Sequence, residues 1–263
     1  MRRNYLFWGI ILVVFSAIIL LRSFKVLPGD SLSYLWQVFL IILGCWIIVN
    51  SLWKPNHQDT ENTSISLKGA VKANIRINHA AGKLNITSGA MGGELLSCAS
   101  SDTLQQKTRL NGDTLDVRIS PVPNVVPFIG FAEGFNWNIK INKEIPISLI
   151  IETGASQTIA DLTELNITVL KLSTGASSTS ILLPSKPERS FVNINAGVAT
   201  LDLTIPTNVA AQIRIKDGLS ALNINKARFF LTNRNHFETQ EYSLSNTRTE
   251  ITIEAGISSI SIH

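Results

Sequence analysis

After residue 64, apolar and polar positions alternate with period two, and the alternation changes phase at a recurring glycine. Gly154, Gly175, Gly197 and Gly218 follow one another at spacings of 21, 22 and 21 residues, and Gly256 comes 38 later. Five residues before these glycines stand Leu149, Leu170, Val192, Ile213 and Ile251. Three before them stand Ile151, Leu172, Ile194, Ile215 and Ile253. Beyond the glycine the apolar rows fall on even offsets, as in Ala160, Ile181, Leu203, Ile224 and Ile262. Each half therefore reads as a strand with one buried face. The change of phase predicts a bend, which glycine accommodates through the backbone angles open to it.

One such coil cannot bury its apolar face alone, whereas a stack shares a continuous core. The repeat predicts an all-β, single-stranded β-solenoid of about 21-residue coils over residues 65–263, with parallel stacking preferred. A stacked antiparallel sandwich is the alternative. Gly82 has similar surroundings, with Ile75 and Ile77 before it and Leu84 and Ile86 after it. It is expected as a corner glycine together with Gly154, Gly175, Gly197, Gly218 and Gly256. Gly256 closes the final coil, which ends at His263 and is expected to leave an open end on which another copy could stack.

Two segments break the rhythm. Residues 121–138 carry three prolines and the aromatics Phe128, Phe131, Phe135 and Trp137. These four are candidate contacts to a partner or to membrane; the plainer reading is a loop folded over the end of the core. Residues 225–250 form an insertion before the last coil, with Phe229, Phe230, Phe237 and Tyr242 as anchors and Arg228 and Arg234 as solvated charges.

The start of the chain is different. Residues 5–21 and 35–53 are two charge-free apolar runs of membrane-spanning length, flanked by Tyr5, Trp8, Tyr34, Trp36 and Trp53. They predict a two-helix transmembrane domain over 1–54, followed by a polar linker at 55–64. Arg2, Arg3 and Lys54 outnumber Arg22 and Lys25 in the link, which predicts both termini, and so the β domain, in the cytoplasm. The whole formal net charge of +4 lies in residues 1–54, where five bases oppose Asp30 alone. The remainder is balanced, so the basic pI is no argument for a nucleic-acid partner.

Candidate chemistry changes the picture little. Cys45 and Cys98 form no metal or redox spacing. A serine follows the corner glycine in "TGAS", but its row reads Ser156, Ser177, Ala199, Ser220, Ser258. One member is alanine, and none of the four histidines makes a recognisable pattern with it, so the row reads as small core or corner residues. The row two before the glycine, Glu152, Ser173, Asn195, Lys216 and Glu254, is a mixed surface. No catalytic, cofactor or metal site is expected.

The leading runs "LFWGIILVVFSAIILL" and "LWQVFLIILGCWIIV" resemble the N-terminal membrane domain of LiaF-like bacterial proteins. The coils "NAGVATLDLTIP" and "DGLSALNI" resemble the toastrack, or adhesin-like, β domain. The resemblance implies a non-enzymatic protein of the bacterial cytoplasmic membrane, an accessory regulator of cell-envelope stress signalling whose partner is a membrane-bound sensor kinase or another envelope protein. The alternative is an adhesin-like or self-associating structural protein of the envelope.

Overall fold

The computed structural model describes residues 61–101, 104–122, 135–233 and 235–263. The spans expected at 5–21 and 35–53, together with Phe128, Phe131 and Arg234, lie outside the described residues. The described residues are all β, and none of their segments is a helix long and apolar enough to cross a membrane.

Among the described residues thirteen strands occur, in the order β1 (Glu61–Ser66), β2 (Lys72–Ser88), β3 (Glu94–Ser100), β4 (Leu104–Asn111), β5 (Thr114–Pro121), β6 (Phe135–Ile141) and β7 (Ile147–Asp161). Then follow β8 (Ile167–Leu182), β9 (Arg189–Thr204), β10 (Ala210–Ile224), β11 (Phe229–Asn233), β12 (His236–Thr239) and β13 (Arg248–Ile262). The expected linker therefore ends early: Glu61 to Ser64 belong to β1, which pairs antiparallel with β3. Backbone pairing needs no apolar side chain, so this polar strand carried no alternation to read.

Six strands of 15 to 17 residues, β2, β7, β8, β9, β13 and β10, stack in parallel in that order. In β7, burial falls on Ile147, Leu149, Ile151 and Thr153, then on Ser156, Thr158 and Ala160. The phase change predicted at the glycine is thus real. The strand bends at Gly154 and wraps both halves round one core, and Leu162 and Leu165 fill the turn that returns to β8. Among the described residues the buried apolar side chains form one continuous core that runs from Ile65 to Ile262. Residues Gln58–His263 form one compact unit and Met1–His57 another.

The stack departs from sequence order at both ends. β13 pairs with β9 on one side and β10 on the other, so the last coil is inserted between two earlier ones and is not the open end expected. At the other end, β5 pairs with the first half of β2 and β6 with the second half. Together β5 and β6 make one coil whose corner is interrupted between Pro121 and Phe135. The end of the expected aromatic segment, Phe135 to Asn138, is therefore part of β6.

The glycine rule also needs correction. Gly154, Gly175, Gly197, Gly256 and Gly218 do form a column, but none has the positive φ that a strained corner would demand. What excludes a side chain is proximity. A Cβ on Gly197 would stand 2.9 Å from the Gly175 carbonyl oxygen, one on Gly256 would stand 2.8 Å from that of Gly197, and one on Gly218 would stand 2.9 Å from that of Gly256. Gly82 is not in the column. It pairs with Ser156, and Ala80 occupies the corner opposite Gly154.

Candidate binding surface

The interior near the corner is polar but closed. Thr153 Oγ1 donates to Thr174 Oγ1 at 2.9 Å, and Ser156 and Ser177 lie 3.5 and 3.4 Å from Thr158 and Thr179 through their hydroxyls. Ser156 is buried among these neutral groups. Trp137, expected as a contact residue, is also buried, at 1% exposure. It takes the core position opposite Leu84 and lies edge-on to His79 with ring centroids 4.9 Å apart. Of that candidate set, Phe135 opens β6 opposite Gly82.

The surface rows carry isolated ion pairs. Arg76 meets Glu152 at 3.6 Å and Lys216 meets Glu254 at 2.9 Å, so each glutamate of the mixed row has its own cation. Among the described residues no three His, Cys, Asp or Glu side chains come together as metal ligands.

The end of the stack at β10 is asymmetric. Its first half is capped by the β11–β12 hairpin, with Gln212, Ile213 and Arg214 paired to Glu238, Phe237 and His236. Phe229 and Phe237 are buried beneath it. Arg228, expected as a solvated charge, is instead a clamp. It donates to the carbonyl oxygens of Ile205, Pro206 and Val209 and lies over the Phe229 ring at 5.1 Å. Desolvation lowers its pKa, and Glu241 opposes that shift.

The second half of β10, through Ile224, pairs with β13 on its inner side. Among the described residues nothing pairs with its outer side. Leu222 faces the core row, yet it is 38% exposed where its register partner Ile260 is wholly buried. Ala221 and Asn223 are exposed on the other face. The segment Ser220–Ile224 has no charge, no proline and no bulge, the devices that ordinarily protect an edge strand. The repeat alone puts the open end at β13. No local signal in β10 distinguishes an edge coil from an inner one.

Residues 54–204, more than half of the chain, match the family model described as the N-terminal domain of toast_rack, DUF2154. The chain belongs to the toast_rack family. Among solved structures, this toast_rack chain is similar to a candidate cell adhesion protein from Clostridium sporogenes ATCC 15579. The TM-score is 0.71 and the identity 24%, over 78% of this chain and 98% of that one. A candidate adhesin from Bacteroides fragilis NCTC 9343 aligns with a TM-score of 0.32 and 11% identity over the same shares, too loosely to bear on the fold. No curated protein matches the sequence. The toast_rack β domain expected from the coils is thus the domain found.

Proposed function

We propose that this toast_rack protein is a non-enzymatic, adhesin-like binding module that self-associates by strand addition at the second half of β10. The observation that carries the reading is Leu222, a core-row residue left uncovered on an unprotected edge. Strand addition uses main-chain hydrogen bonds for affinity and alternate side chains for fit. An antiparallel pair of two β10 edges brings no like charges together, and it covers Leu222 with its own counterpart. The description of the Clostridium sporogenes protein as a candidate for cell adhesion agrees with such a use. Sedimentation of the β unit, residues 58–263, tests it: mass rising with concentration supports the reading, and a strict monomer over a wide concentration range overturns it.

The apolar runs at 5–21 and 35–53 support a second part of the proposal, anchorage of this module in a bacterial cytoplasmic membrane. The charge bias of their flanks favours a cytoplasmic β unit, in which case adhesion between cells gives way to assembly at the inner surface and to contact with a membrane-bound sensor kinase or other envelope protein. A topology reporter fused after His263 decides the side.

A further inference from the structure

Where the β11–β12 hairpin meets the glycine corner, the outer surface holds a cleft of about 850 Å³, within the range of small-ligand sites. Register puts its polar side chains on one outward face. Asn195 on β9 stands across from Glu254 on β13, and Glu254 across from Lys216 on β10. Two residues before Lys216, and so on the same face, Arg214 stands across from His236 on β12, and His236 across from Asn233 on β11. The hairpin tip forms a wall. Ile215 donates its amide to the Asn235 carbonyl oxygen at 3.0 Å, and Asn235 takes a φ of 60°, a left-handed conformation that asparagine tolerates. All of these residues line the cleft.

The lining selects a chemistry. Its apolar side chains, Ala196, Ile215 and Ala255, are all buried in the core, so a lipid chain or an aromatic base would find no apolar wall to cover. Lys216 is held by Glu254 at 2.9 Å, and that pair is neutral towards a ligand. Arg214 is exposed and makes no ion pair among the described residues, which leaves one cation for one negative charge. A guanidinium holds a carboxylate through two parallel hydrogen bonds. Around it, Asn195 and Asn235 offer exposed amides, each both donor and acceptor, as hydroxyl groups require. His236 adds a buried Nε2 with no hydrogen-bond partner among the described residues. We infer that this cleft binds an acidic saccharide, its carboxylate on Arg214 and its hydroxyls on Asn195, Asn235 and the Lys216–Glu254 pair. A bare anion would leave the amides unused, a neutral saccharide would leave Arg214 unused, and a polyanion would bring charges that a single cation cannot match. The site lies on the first half of β10 and does not rest on pairing of the second half.

Titration calorimetry of the full-length protein in detergent tests this with 3′-sialyllactose, trigalacturonic acid, lactose and acetate. At least one of the two acidic saccharides should bind about tenfold more tightly than lactose, and acetate should not bind measurably. Arg214→Gln should bring that acidic saccharide down to the level of lactose, a loss of about tenfold, and Asn195→Ala should weaken acidic and neutral saccharides alike by roughly fivefold. Both positions are exposed, so the core stays intact. Lys107→Gln, on β4 at the other end of the stack, should change nothing. No binding of either acidic saccharide, equally tight binding of lactose, acetate binding as tight as a saccharide, or a loss in Lys107→Gln that matches the loss in Arg214→Gln overturns the assignment.

Discussion

Leu222 and Ile260 are register partners on adjacent strands, yet Ile260 is wholly buried and Leu222 is 38% exposed. The pair marks the point where a shared core runs out. All the coils inside it, from β7 to β13, are covered on both sides by equivalent coils. The last half-strand of β10 faces outward with core chemistry and, among the described residues, an unpaired backbone edge.

The glycine column makes a graded prediction. Gly197→Ala and Gly256→Ala would force a methyl to within 2.9 and 2.8 Å of a carbonyl oxygen, where no flexible side chain can yield. Each should cost about 1–3 kcal/mol. Gly175→Ala, with 3.1 Å, should cost less, and Ala80→Gly should relieve no clash. Denaturant midpoints of the four variants order the effects.

The buried hydroxyl pair should behave non-additively. Thr153→Val strands the Thr174 hydroxyl and should cost about 1–3 kcal/mol, as should Thr174→Val. The double replacement removes both polar groups at once and should cost less than the sum. Equal additivity in a double-mutant cycle would mean that the two hydroxyls do not depend on one another.

Cys98 gives a pH dependence. Burial raises its thiol pKa from 9.0 to about 12. Below pH 9.0 the thiol is protonated in both folded and unfolded chains and has no effect. Above it the unfolded chain ionises first, so stability falls as pH rises towards about 12. Cys98→Ala should flatten that alkaline loss. In a Cys45→Ser background, a thiol reagent at neutral pH should label Cys98 only on unfolding.

The inserted last coil predicts an unusual truncation phenotype. In a stack that follows sequence order, losing the final coil trims one end. Here removal of 248–263 empties the slot between β9 and β10 and strips both neighbours of their partner. The truncated β unit should lose cooperative unfolding and solubility. A well-folded product with only a lowered midpoint would contradict this.

Much of the fold is legible in the sequence because parity is local. Ile75, Ile77, Leu84 and Ile86 sit on the same rows as their counterparts in β7 and need only period-two counting. The glycine anchor misplaced the corner of β2 at Gly82, whereas those four residues taken as rows put it at Ala80. Trp137 reads as a candidate contact or a loop cover because its neighbours break the alternation, although it continues the Leu84 row across a coil boundary. The order of the coils was not legible. Parallel neighbours with equivalent rows fit β13 after β10 as well as between β9 and β10, and the choice lies in connections that carry no periodic signal. The binding edge depends on that choice, so it was hidden with it.

The most direct measurement is sedimentation equilibrium of residues 58–263 as wild type, as Ala221→Lys and as Leu222→Lys. Ala221 is exposed, so its replacement leaves the core intact and only sets like charges across the proposed pair. Association of the wild type with concentration, abolished in both variants while they stay folded, is the predicted result. A monomeric wild type, or association that both lysines leave unchanged, would contradict strand addition at β10.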